Sequence, residues 1–156
     1  MLKDRAWIAA HIPHEGVMCL LDGVLDWDAS GIRCLSRAHR SPQNPLRAHG
    51  RLAAVCGIEF AAQAMAVHGA LTSSDPAPLQ AGYLVSVRGV ALHTARLDDV
   101  DADLLVFAAR LGGDASGALY EFSLAAGSHA DARPLVRGRA AIFVGSSAIV
   151  TRRAPV

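Results

Sequence analysis

The sequence predicts an α+β domain in which one long helix is wrapped by a curved antiparallel sheet. Three observations carry this prediction. A single long apolar helical stretch runs from about residue 53 to 71, alternating strand patterns flank it on both sides, and small residues crowd the helix itself.

Along the chain, "VMCLLDGVLDW" at 17–27 reads as a first strand. "GIRCLSRAHR" at 31–40 reads as its partner across a turn at Asp28, Ala29, Ser30 and Gly31. "SPQNP" at 41–45 is a loop, and the helix follows. Gly57, Ala61, Ala62, Ala64 and Ala66 let a sheet approach closely, and "TSSDPAP" at 72–78 ends the helix. Four strand patterns complete the chain. They run over 80–93, 102–113, 118–128 and 135–145, read as hairpin neighbours in succession, with Gly89 and Gly138 predicting bulges or bends. Residues 1–156 form one domain without repeats or linkers. Such a sheet keeps an exposed edge unless another chain pairs with it, so a dimer is expected.

Composition narrows the function classes. Apolar residues make up 52 % of the chain and the formal net charge is +1, a globular profile with no default attraction to nucleic acid. No apolar run is read as reaching the roughly 20 residues of a membrane span. The opening "MLKDRAWIAAHIPHEG" lacks a signal-peptide core, so a cytoplasmic protein is expected. Cys19, Cys34 and Cys56 lie far apart among apolar neighbours and read as reduced, buried thiols. Seven histidines invite a search for zinc, but no His-x-x-x-His or His-Glu-x-x-His spacing occurs, and no metal is expected.

The element order is that of the hot-dog fold, and two motifs sharpen the likeness. "IPHEGVMCLLDGVLDWD" at 12–28 resembles the opening of the 3-hydroxyacyl-acyl-carrier-protein dehydratases. "GIEFAAQAMAVHGAL" at 57–71 resembles their helix signature, and "VRGRAAIFV" at 136–144 resembles their last strand. The sequence departs from the main family before the helix. Where that family has Gly-His-Phe-Pro-Gly with the catalytic His, this chain has "RAHGRLAAVCGIE". Gly50, Arg51 and Leu52 are closer to a divergent branch of aryl-polyene and related clusters.

The resemblance implies dehydration of a 3-hydroxyacyl thioester held on the phosphopantetheine of an acyl carrier protein, with no further cofactor. That chemistry needs a base for the proton at C2, an acid for the hydroxyl leaving C3, and a donor for the thioester carbonyl. In the family a His and a carboxyl from opposite subunits share the proton work. Glu59 is the candidate acid, because desolvation in an apolar helix raises a carboxyl pKa and favours the protonated form. Gln63, one turn on, is placed to hydrogen-bond and orient it, or equally to satisfy a neighbouring backbone group. His14 and His49 are both candidates for the base. Gly57 and Cys56, where the helix begins, are candidates for holding the carbonyl through backbone N–H groups. His11, His39, His68, His93 and His129 show no partner in the sequence, though His68 near the helix end suits the dipole there.

A carrier protein presents acidic surface, and Arg37, Arg40, Arg47 and Arg51 bracket the loop before the helix as its candidate receiver. The tail Arg152–Arg153 reads as frayed. Three functions remain open at this stage: an active dehydratase, a weak or inactive hot-dog subunit completing a heterodimer, and a hot-dog thioesterase. A homodimer and a heterodimer with a paralogous subunit are both open as well, as are acyl chain length and pathway.

Overall fold

The structure, a computed structural model, describes residues 1–73, 82–114, 116–127 and 133–144. The chain opens with a short strand, β1 (Lys3–Asp4), and a helix, α1 (Arg5–His11). Strands β2 (Gly23–Asp28) and β3 (Gly31–Ser36) form the first hairpin, and the long helix α2 spans Gly57–Thr72. Then come β4 (Gly82–Leu92), β5 (Leu104–Asp114), β6 (Gly117–Ala126) and β7 (Pro134–Val144). The expected residues at 74–81, 128, His129, 145 and the Arg152–Arg153 tail lie outside the described residues.

The sheet has seven antiparallel strands in the order β1-β2-β3-β5-β6-β7-β4. This corrects the hairpin succession expected for the last four. β5 pairs with β3, whereas β4 crosses over to pair with β7 and forms the far edge. α2 packs on one face of this sheet. Phe60, Ala61, Ala64, Met65 and Val67 meet Leu104, Val106, Ala108, Phe122, Leu124 and Val136 in one continuous core. At about 25 cal/mol per Å² of apolar surface removed from water, this core is the main stabilising term.

Local chemistry explains most boundaries. Asp28 Oδ1 accepts from the backbone N–H of Ser30 and Gly31 and from the Ser30 hydroxyl, which fixes the β2–β3 turn. The first predicted strand starts six residues late, because 17–22 is held by α2 rather than by a strand. The second ends at Ser36, and a 3-10 turn follows at Ala38–Arg40. The two strand glycines behave differently. Gly89 has φ +59° at a register shift in β4, a true bulge, while Gly138 keeps regular register opposite Phe122. A Cβ on Gly138 would sit 3.0 Å from the Phe122 ring, so its lack of side chain makes room for that ring.

The stretch Ala54–Thr72, 19 residues, does meet the length and apolarity of a membrane span, contrary to expectation. Half of it is buried within this domain, as suits a core helix.

Candidate active site

Helix α2 supplies Glu59 in its first turn and Gln63 one turn later. Gln63 is completely buried and acts as a clamp. Its Oε1 accepts from Leu20 N at 2.8 Å, and its Nε2 donates to Met18 O at 2.8 Å and to Glu59 Oε1 at 3.0 Å. Ser36 Oγ donates to Leu20 O at 2.6 Å, tying the same segment to β3. Residues 16–22 therefore cross α2 as a strap held by the Gln63 and Ser36 side chains and by local backbone bonds such as Met18 N to Glu15 O, which explains why their apolar pattern does not make a strand.

The strap delivers the histidine. α1 is capped by Asp4, whose carboxylate accepts from Trp7 N at 2.9 Å, and it buries Ile8. It ends at Ile12 and Pro13, and the tight turn from His14 N to Ile12 O aims the ring back at α2. His14 Nε2 lies 3.1 Å from Glu59 Oε1. The two side chains are 25 % and 32 % exposed, so the pair is partly shielded and still reachable.

Burial raises the Glu59 pKa, but hydrogen bonds from His14 and Gln63 outweigh it, and the net shift is downward. Glu59 is thus held as a carboxylate, not as the protonated acid expected from the apolar helix. A carboxylate only accepts, so the His14 ring donates from Nε2. In the neutral ring this leaves the lone pair on Nδ1, a buried atom with no hydrogen-bond partner. The arrangement can take a proton at Nδ1 and stabilise the resulting imidazolium through Glu59.

The other expected residues fall elsewhere. His49 is exposed at the tip of a tight turn closed by Ala48 and Arg51, with φ +51° beside Gly50 at φ +73°. The structure does not bring it to Glu59, whose hydrogen-bond partners are His14 and Gln63. A 3-10 turn, Ala54–Cys56, precedes α2, so the N–H groups of Cys56 and Gly57 already donate to Ala53 O and Ala54 O. Neither is free for a thioester carbonyl. Gly57 packs instead, since a Cβ there would sit 3.1 Å from Leu124 and Val136 side-chain atoms.

Cys19 and Cys34 are buried and Cys56 is half-buried, and all three are free. Desolvation pushes each thiol up, Cys34 to about 12. No group of three or more His, Cys, Asp or Glu among the described residues is arranged to hold a metal ion.

His39 and His68 are buried and both are pushed down by desolvation. His68 donates from Nε2 to Asp28 O and accepts at Nδ1 from the Tyr120 hydroxyl, each at 2.8 Å. Its role is a neutral core bridge and not a cation at the helix end.

Three of the four loop arginines are spent within the chain, while Arg51 is exposed with no ion pair among the described residues. Arg37 and Arg40 both pair with Asp103, and Arg47 donates to Gly50 O and His39 O and lies 3.8 Å from Asp98. What sequence reasoning missed was the strap itself. Its signal was Gln63 on an apolar helix, read as orienting Glu59 or satisfying a neighbouring backbone group; it does both, but the backbone it holds lies about 45 positions away in sequence.

Comparison with known proteins agrees with the geometry. A family model described as ApeP dehydratase matches residues 6–149. No curated protein matches the chain. Among solved structures, the dehydratase heterocomplex ApeI:P from Xenorhabdus doucetiae is similar, with a TM-score of 0.78 and 21 % identity over 90 % of this chain and 91 % of that one. Zebra fish thioesterase superfamily member 2 is also similar, with a TM-score of 0.60 and 18 % identity over 90 % and 95 %. At these identities the structures show the fold, which is the hot-dog fold.

Proposed function

Because this chain belongs to the ApeP-like dehydratase family, we propose that it eliminates water from a 3-hydroxyacyl thioester carried on the phosphopantetheine of an acyl carrier protein, in the cytoplasm. The observation that carries the reading is the 3.1 Å contact between His14 and Glu59. The histidine and the carboxylate that steadies it stand in one chain, whereas the main dehydratase family draws its His and carboxyl from two. That favours an active subunit over an inactive companion.

In this mechanism the entering acyl chain displaces the side chains that cover His14 Nδ1 in the free chain, and Nδ1 then takes the proton from C2 while the C2=C3 double bond forms. The C3–O bond breaks, and the imidazolium returns the proton to the departing hydroxide, so water leaves and His14 is neutral again. Glu59 stays ionised throughout and stabilises the imidazolium, while Gln63 holds Glu59 in place. His14 is the catalytic residue, and Glu59 and Gln63 are positioning residues. No cofactor beyond the carrier's own arm enters these steps.

A second hot-dog subunit completes the molecule in this reading. β4 has β7 on one side and an open edge on the other, and its exposed Leu84, Val85, Val90 and Leu92 sit along it. Ile58, Ala62 and Ala66 form a half-exposed apolar stripe on α2. A structurally similar protein is a heterocomplex of dehydratase subunits, which favours a paralogous partner over a second copy.

The test is elimination from a 3-hydroxyacyl carrier thioester, followed by absorbance of the enoyl product. His14→Ala is expected to lose about 10²–10⁴-fold in kcat/KM, and Glu59→Gln about 10²–10³-fold. Full activity in His14→Ala sinks the assignment. Release of free thiol in place of enoyl product would make the protein a thioesterase.

A further inference from the structure

His14 rides on an exposed stretch of chain. Pro13, Glu15, Gly16 and Val17 around it are all open to solvent. A catalytic ring on such a loop needs support to stay within about 0.5 Å of its working place. Glu59 holds the tip of the ring at Nε2. The backbone beneath the ring is fixed mostly by its neighbours in sequence. His14 N donates to Ile12 O at 2.8 Å, Met18 N to Glu15 O at 3.0 Å, and Cys19 N to Gly16 O at 3.3 Å. Bonds of that range shape a loop without setting where it sits on the domain.

A bond from α1 does set it. Arg5, in the first turn of that helix, donates from Nη2 to Gly16 O at 3.0 Å, just beyond His14. Among the described residues, no other hydrogen bond joins the backbone of residues 15–17 to anything beyond the strap. Arg5 Nη1 lies 3.8 Å from Asp22 Oδ1, at the strap's other end. Asp22 is itself fastened to the β3 side, since its N donates to Leu35 O at 2.8 Å and its Oδ2 accepts from Arg37 N at 2.6 Å. One planar guanidinium therefore reaches both ends of the strap, while Gln63 holds its middle. The bond to Gly16 also closes the chain from residue 5 to residue 16 into a ring, and His14 stands inside it.

We infer that Arg5 is a positioning residue for His14: by closing this ring it sets where the imidazole meets Glu59. The inference rests on the dehydratase reading above for its effect on catalysis, and on the bonds alone for its effect on the histidine. The Arg5 side chain is 43 % exposed, so its ion pair with Asp22 adds little to stability. Its effect is on geometry, where a misplacement of about 1 Å can cost about 10²-fold in rate.

The experiment compares wild type with Arg5→Ala and Arg5→Lys, and uses Glu59→Ala to mark a His14 ring without its carboxylate. Alanine is at least as good a helix former as arginine, so Arg5→Ala removes the tie without weakening α1 itself. The first readout is the nitrogen NMR signals of the His14 ring at neutral pH without substrate. Arg5→Ala is expected to move the Nε2 signal toward its place in Glu59→Ala. Arg5→Lys, which can reach Gly16 O without spanning both ends of the strap, moves it less. The second readout is elimination from the 3-hydroxyacyl carrier thioester. Here kcat is expected to fall about tenfold in Arg5→Ala, with KM within about twofold, and to recover in part in Arg5→Lys. Where wild type forms no enoyl product, the dehydratase reading fails and the ring signals alone decide the tie. Ring signals in Arg5→Ala that coincide with wild type, or an unchanged kcat in an active protein, overturn the inference. So does a melting temperature lowered equally in both Arg5 variants with no difference between their ring signals.

Discussion

Gln63 is the side chain on which the site's geometry depends most. Replacing it with Leu keeps the volume and deprives the buried Leu20 N–H and the part-buried Met18 C=O of their partner. Each orphaned group costs about 1–3 kcal/mol, so Gln63→Leu is expected to lower the urea midpoint clearly, and activity with it. A stable variant with wild-type activity would show that the strap is held by something else. Glu59 makes a pH prediction. Its pKa is depressed in the folded chain, so the stability it contributes is complete above its ordinary value of 4.5 and is lost as pH falls through the lower folded value. Urea unfolding between pH 6 and 3 should therefore show a steeper loss in wild type than in Glu59→Gln. The residue types of the site were readable in the sequence, since His14, Glu59 and Gln63 all stood out. The ionisation of Glu59 was not, because a downward shift needs two donors from the chain's own fold, and one of them arrives from 45 residues away.

At the level of elements, the long-range pattern was plain wherever period and length agreed. α2 and all four late strands fall within a few residues of their predicted bounds. Two things escaped. The seven residues of α1 are too few to show a period, and their stability comes from the Asp4 cap and from burying Ile8. The pairing of β4 with β7 escaped because alternation says which face a residue takes, and nothing about which strand lies alongside. Gly57 offers a direct check of the helix–sheet contact. A Val there must displace Leu124 and Val136, whose atoms already stand 3.1 Å from an added Cβ. Overpacking of this kind costs about 1–3 kcal/mol, so Gly57→Val should unfold at lower denaturant. An unchanged midpoint would mean that α2 can shift on the sheet.

For the whole molecule, the open edge of β4 is where the proposed second subunit would pair. Eleven residues of edge strand with exposed Val85 and Leu84 amount to a template for another strand, and charge on such an edge is the usual protection against it. Val85→Lys with Leu84→Lys is expected to reduce the mass seen by analytical ultracentrifugation, or to abolish co-purification with a paralogous subunit. The same assembly unaltered would place the interface elsewhere. The strap across α2 also has a consequence in time. Leu20 N–H is buried and bonded to a side chain outside any strand or helix, so its exchange with deuterated water is gated only by release of residues 16–22 from α2. That one amide reports, in the native protein and without substrate, how often the histidine is away from its carboxylate.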